Sequence, residues 1–421
     1  MKWKLLALAV LAAALLAACG APKVATVQIT GVVVNSNGLP VPGIRVLVPG
    51  QSVVTTDGSG RFSFDGITTP YTLIVEQKSN DFVVYQGLTR TDPYVFVNDS
   101  TGSYSADVSG DVQSTTSGDT VGVQVVSDHA LGYTSVTAPG STTSYSLNVK
   151  LLQPVASAAV YALEWSEDAN GNAQDFAGYG THADLNLATG DNLANVDVLL
   201  TPISGTHDLT VTTDIPTGLN PSIQAAGVRF AAPDVWGLAI VTYQDTSPAG
   251  AQFTVRSPTL AAARTVLYAA ASGGSQLFSV RWTGVPTSAT AHTLALYDPV
   301  ALLEPSDGAS IAADAPFRWQ PPDGAITMLA FSGDLNLTVY TAGSEFVLPD
   351  LSPFGASYGT NPYTWQVVAF RLDGLLEGDL DQLTAAGQTP PMLILLATFF
   401  GAPLSESGYM VSSDPYGFSL Q

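Results

Sequence analysis

Past residue 25 the chain alternates apolar and polar positions with period two. Ile44-Arg45-Val46-Leu47-Val48, Phe62-Ser63-Phe64 and Tyr71-Thr72-Leu73-Ile74-Val75 are examples, each bounded by Gly, Pro, Asn or Asp. Successive side chains of a strand point to opposite faces, so this pattern predicts half-buried strands of antiparallel β-sandwiches. Asn35-Ser36-Asn37-Gly38 and Asp57-Gly58-Ser59-Gly60 supply residues that tolerate positive φ and read as hairpin turns. Leu372, Leu375, Leu376, Leu380 and Leu383 instead recur at helical spacing, which predicts a short amphipathic insertion that Gly374 and Gly378 weaken. The expected fold class is all-β, with tandem antiparallel β-sandwich modules.

The amino terminus follows another rule. Lys2 and Lys4 precede an unbroken apolar run from Leu5 to Ala18, too short for a membrane span and fitting a cleaved secretory signal. Leu16-Ala17-Ala18-Cys19-Gly20 resembles the bacterial lipobox, in which cleavage precedes a lipid-bearing cysteine. The resemblance implies a diacylglycerol thioether and a further acyl chain (palmitate) on Cys19. It also implies a cell-envelope location anchored through that lipid, in the outer membrane because Gly20 follows the cysteine. Cys19 is the single cysteine, so no intramolecular disulfide forms. The run Met392 to Phe400 is about one buried strand long.

Four ordered segments carry a second resemblance: Ile29-Thr30-Gly31-Val32-Val33, Gly38-Leu39-Pro40-Val41-Pro42-Gly43-Ile44-Arg45-Val46, Thr55-Thr56-Asp57-Gly58-Ser59-Gly60-Arg61-Phe62 and Pro70-Tyr71-Thr72-Leu73. Together they resemble the carboxypeptidase regulatory-like family. That resemblance implies a transthyretin-like sandwich of about seven strands without catalytic residues of its own. Ile29-Thr30-Gly31 is echoed at Val108-Ser109-Gly110 and Ile203-Ser204-Gly205, an internal repeat. Thr68 to Val75 is echoed at Thr142 to Val149, which would place the same strand in a second copy, and Gly190 to Pro202 reads as that copy's closing strand. Further on, Phe317-Arg318-Trp319-Gln320-Pro321-Pro322 and Tyr363-Thr364-Trp365-Gln366-Val367-Val368-Ala369-Phe370-Arg371 resemble a fibronectin type III or immunoglobulin-like sandwich.

The expected organisation is a signal peptide over 1–18, a lipidated linker over 19–25 and a carboxypeptidase regulatory-like sandwich over 26–102. A degenerate second sandwich of that type follows over 103–202, then a third over 203–298 with few family signals, and a fibronectin type III/immunoglobulin-like sandwich over 299–421.

Lys plus Arg number 14 against 35 Asp plus Glu, a net charge of −21 that excludes nucleic-acid binding. Candidate chemistry is sparse. Gly355-Ala356-Ser357-Tyr358-Gly359 fits G-x-S-x-G but lacks the strand-to-helix context of a nucleophile elbow, and reads as a loop. His129, His182, His207 and His292 have no zinc spacing. The neighbours Asp128-His129 and His207-Asp208 would point to opposite strand faces. Calcium is the one cofactor that the oxygen-rich turns suggest. Asp168, Asn170 and Asn172 offer oxygen at alternate positions, without the glutamate that completes a calcium loop. Glu377, Asp379 and Asp381 form a second alternating acidic set. Trp165, Trp236, Trp282, Trp319 and Trp365 fall in strand-like segments, one core anchor per sandwich or a sugar-stacking platform. The expected role is non-catalytic: binding, adhesion or scaffolding toward a protein or glycan partner through loops and edge strands. A glycan or peptide hydrolase with its site in 203–298, and a bare spacer, are the alternatives.

Overall fold

The computed structural model describes residues 26–99, 101–113, 119–127, 129–138, 140–230, 238–274, 276–386, 388 and 405–421. The signal peptide, Cys19 and its linker, Asp128, Trp236 and the 392–400 run lie outside the described residues. Within them the fold is all-β.

The first sandwich contains β1 (Val27–Val34), β2 (Arg45–Leu47), β3 (Val54–Thr55), β4 (Arg61–Ile67), β5 (Tyr71–Lys78), β6 (Asp81–Leu88) and β7 (Tyr94–Phe96). One sheet runs β4-β1-β7 and the other carries β3-β2-β5-β6, with β1 and β7 parallel. Phe62 and Phe64 of β4 point inward while their neighbours face solvent, as the alternation requires, and a bulge at Gly66, φ 70°, shifts the phase so that Ile67 points inward too.

That wiring recurs twice. The second sandwich has β8 (Tyr104–Gln113), β9 (Thr120–Val126), β10 (Ala130–Thr137), β11 (Thr143–Leu151), β12 (Val155–Glu167), β13 (Ala173–Ala188), β14 (Asn192–Leu193), β15 (Val198–Leu199) and β16 (Thr201–Pro202). Here β11 pairs β8, β14 and β15 lie parallel to β8, and β10-β9-β12-β13 repeats β3-β2-β5-β6. The third has β17 (Thr206–Asp214), β18 (Asn220–Arg229), β19 (Ile240–Asp245), β20 (Gln252–Pro258), β21 (Arg264–Gly273), β22 (Leu277–Pro286) and β23 (Ala291–Ala295), ordered β20-β17-β23 and β19-β18-β21-β22.

The repeated glycines have a steric reason in two copies. A Cβ on Gly31 would stand 2.7 Å from Pro93 O, and one on Gly110 would stand 2.3 Å from Val196 O, so both let the closing segment cross the first strand. Gly205 does not share that position. Val32 N–H donates to Pro93 O and Thr210 N–H to Thr290 O, which aligns Gly31 with Leu209. The Thr68–Val75 echo is also corrected. It equates β5, which lies between β2 and β6, with β11, which lies between β8 and β10, because the two strands share only a tyrosine with Leu and Val two and four residues on.

The fourth sandwich has β24 (Ala301–Glu304), β25 (Ala309–Ile311), β26 (Pro316–Gln320), β27 (Ile326–Ser332), β28 (Asn336–Thr341), β29 (Glu345–Val347), β30 (Tyr363–Leu372), β31 (Gly408–Ser412) and β32 (Tyr416–Leu420). Sheet β24-β26-β29 faces β31-β30-β27-β28. The helical insertion shrinks to a single turn, α1 (Leu380–Leu383), because Gly374 and Gly378 take φ of 77° and 74°. Leu376, Leu380 and Leu383 are nevertheless buried, as their spacing implied.

The sandwiches are joined by main-chain ladders as well as by linkers. β28 pairs in parallel with β6, and β31 pairs antiparallel with β22, so one 14-stranded sheet runs through the third, fourth and first sandwiches. This corrects the half-buried reading of residues 71–75. Leu73, Ile74 and Val75 are all 0% exposed, because the fourth sandwich covers the face of β5 that its own does not.

Candidate functional site

The sequence candidates are built into the framework. Asp168 accepts the backbone N–H groups of Asn170 and Asn172 at 2.8 and 2.9 Å, and those bonds hold its carboxyl below the usual carboxylate range. Gly171 completes the turn at φ 82°. Asn172 Oδ1 accepts Gln244 N–H of β19 at 3.0 Å, strapping the β12–β13 hairpin to the third sandwich. The second acidic set is divided among separate tasks. Asp379 caps α1 through Asp381 N–H, and Glu377 accepts Gly374 N–H. Asp381 accepts Thr89 and Arg90 N–H at 2.9 and 3.1 Å, which clamps α1 to the first sandwich.

The G-x-S-x-G segment follows a 3-10 turn at Ser352–Phe354 and precedes β30, a loop as its flanking prolines indicated. His182 and His207 each hold a backbone carbonyl, of Asp197 and Ala289. Asp208, beside His207, instead pairs with Arg256 at 2.6 Å. Among the described residues no three His, Cys, Asp or Glu side chains gather as a metal-binding group. Trp165, Trp282, Trp319 and Trp365 are buried, so they form no exposed stacking platform. They are not distributed one per sandwich. Trp319 and Trp365 share the fourth core, whereas Trp165 packs in a cluster with Phe230 and Ile240 between the second and third sandwiches.

Two clefts lie where sandwiches join, and neither was visible in the sequence, because each is assembled from strands far apart along the chain. At the first–fourth seam, a cleft of about 300 Å³ is lined by Val83, Tyr85, Val97, Met328 and Tyr340, with Gln77, Asp81 and Asn98 among its polar residues. Tyr85 and Tyr340 stack with centroids 5.5 Å apart. Burial pushes both phenols up, and Tyr85 is tied to Phe96 N–H at 3.0 Å.

The second cleft, about 260 Å³, lies at the third–fourth seam. Arg281, Tyr409 and Arg371 are direct cross-strand partners on β22, β31 and β30, and all three side chains line it. Tyr297 packs on Tyr409 at 4.2 Å, and the Arg281 guanidinium lies over the Tyr297 ring at 5.3 Å. Arg371 is neutralised by Asp373 at 2.8 Å and Glu377 at 3.6 Å. Arg281 donates to Ala295 O at 2.6 Å and makes no ion pair among the described residues. Thr283 and Ser407 add hydroxyls 3.2 Å apart.

Neither a family model nor a curated protein matches the chain. Similar solved structures include a candidate adhesin from Bacteroides ovatus, 10% identical with a TM-score of 0.17, aligned over 46% of this chain and 93% of that one. They also include BcpA, the major pilin subunit of Bacillus cereus, 6% identical with a TM-score of 0.14, over 64% and 98%. Among the described residues no helix is long and apolar enough to cross a membrane.

Proposed function

We propose that this protein is a cell-envelope lipoprotein held at the outer membrane through acylated Cys19, with a non-catalytic binding, adhesion or scaffold role. In this reading residues 26–102, 103–202 and 203–298 are three copies of one carboxypeptidase regulatory-like module, and 299–421 is a fibronectin type III/immunoglobulin-like module that joins two of them. The observation that carries the scaffold role is the ladder continuous from β19 through β22, β31, β28 and β6 to β3. Main-chain bonds across both seams make a rigid body of sandwiches that would otherwise pivot on linkers, and a rigid body presents clefts and end loops to a partner at a fixed separation. The recurrent wiring supports the three-copy reading, and the two-sheet order of the last sandwich supports the immunoglobulin-like one.

Two measurements test this. Cys19→Ser should move the protein from the membrane fraction to the soluble fraction, and an unchanged distribution refutes the anchor. Non-lipidated Gly20–Gln421 should capture an envelope protein or glycan. Its turnover of an envelope glycan or peptide would overturn the non-catalytic role, and absence of any capture would reduce the molecule to a spacer.

A further inference from the structure

We propose that the third–fourth seam cleft binds one carboxylated sugar residue, of the uronic acid class, with Arg281 as its carboxylate anchor. The inference deepens the binding role above and rests on it, while the anchoring test stands whatever its outcome. Acids outnumber bases 35 to 14 in this chain, so its surface disfavours anions and an anion site must be made locally. Arg281 meets that need. Its guanidinium is oriented by Ala295 O and the Tyr297 ring, and has no carboxylate partner among the described residues. Its remaining N–H donors match the two oxygens of a carboxylate.

The rest of the lining limits the ligand to a single charge. Arg371 is already balanced, and Asp373, which balances it, also lines the cleft. A dianionic phosphate would meet Asp373 as a like charge. A sugar hydroxyl would instead find in Asp373 an acceptor, and in Thr283 and Ser407 hydroxyls that donate or accept. The volume, about 260 Å³, is near the small end of ligand pockets and suits one ring rather than an oligomer.

Calorimetric titration of Gly20–Gln421 with D-glucuronate, D-glucose and inorganic phosphate tests the proposal. Glucuronate should bind, and Arg281→Gln should weaken it roughly tenfold to a hundredfold, the worth of one charge-assisted contact. Glucose and phosphate should bind far more weakly. Absence of glucuronate binding at millimolar ligand, equal binding of glucose or phosphate, or an Arg281→Gln variant of unchanged affinity would each overturn it. If that variant fails to fold, arginine-selective NMR of the unsubstituted chain decides. The Arg281 side-chain resonance must shift on adding glucuronate, and a stationary one refutes the site.

Discussion

Phe82 lies on β6 of the first sandwich, yet its ring is buried in the core of the fourth, 5.3 Å from Phe354 and in one cluster with Trp319 and Trp365. Phe82→Ala therefore removes a fully buried ring from a core to which its own sandwich contributes only one covering layer. Truncating a buried phenylalanine costs about 3–5 kcal/mol. If the sandwiches unfold as one body of several hundred residues, each kcal/mol moves the midpoint by about 2 °C, and the expected loss is roughly 6–10 °C. In an isolated first sandwich the same ring would face solvent, and its truncation would move the midpoint hardly at all. The assay is thermal unfolding followed by tryptophan fluorescence, since Trp319 and Trp365 report on the fourth core, together with far-ultraviolet circular dichroism for the whole. Fusion predicts one transition shifted alike by both probes. Tryptophan emission that keeps its original midpoint while a separate transition drops would refute the fused-sheet reasoning.

Two further outcomes follow from charge. Burial first, and then Arg281, hold the His292 imidazole below its ordinary 6.5. The unfolded chain therefore binds this proton more tightly, and stability should fall as pH drops through 6.5 toward the depressed native value; histidine NMR should show the titration rising toward 6.5 in Arg281→Gln. Asp168 is depressed by backbone donors, so its contribution is present above its ordinary 3.8 and is lost as pH falls through the lower native value. Asp168→Ala should loosen the β12–β13 turn equally with calcium or with chelator present. A melting temperature raised by calcium in the parent chain and not in Asp168→Ala would instead establish Asp168, Asn170 and Asn172 as an ion site.

Alternation around Phe62 and Phe64, and the turn residues between strands, made the sheet class legible, because each depends on local backbone geometry. Gly31 and Gly110 were legible as repeat marks for the same reason: a crossing main chain admits no Cβ there. What the sequence concealed was long-range. The run Phe82-Val83-Val84-Tyr85 is the one local sign that β6 is covered on both faces, since a half-buried strand would alternate. Nothing in that run specifies β28 as the partner, more than 240 residues away by the ladder from Asn336–Thr341 to Asp81–Gln86. The Arg281–Tyr409–Arg371 row is hidden likewise, for its members become neighbours only when β22, β31 and β30 align.

The choice of joining strands has a physical logic. In each of the three recurrent sandwiches the last strand of the four-strand layer, β6, β13 or β22, is left as a sheet edge with unpaired main-chain groups, a liability for aggregation. Two of these edges are consumed by the fourth sandwich, which offers β28 on one side and β31 on the other. The third, β13, is blunted by other means. Ile203 N–H donates to Ala177 O, β16 pairs at Gly178 and Tyr179, and His182 holds Asp197 O. A bulge near Asp184, at φ 62°, then breaks the ladder rhythm beyond them. The second sandwich is attached through faces instead, by Trp165 against Phe230 and Ile240, and by Lys150 donating to Ser36 O at 3.3 Å. Along the shared sheet the order is therefore third, fourth, first, a sequence that tandem linkers alone would not produce. The fourth sandwich covers one edge of each neighbour, β6 and β22, and leaves β3 and β19 as the two ends of the shared sheet, so a single module wired differently from the three before it shields two of their edges at once.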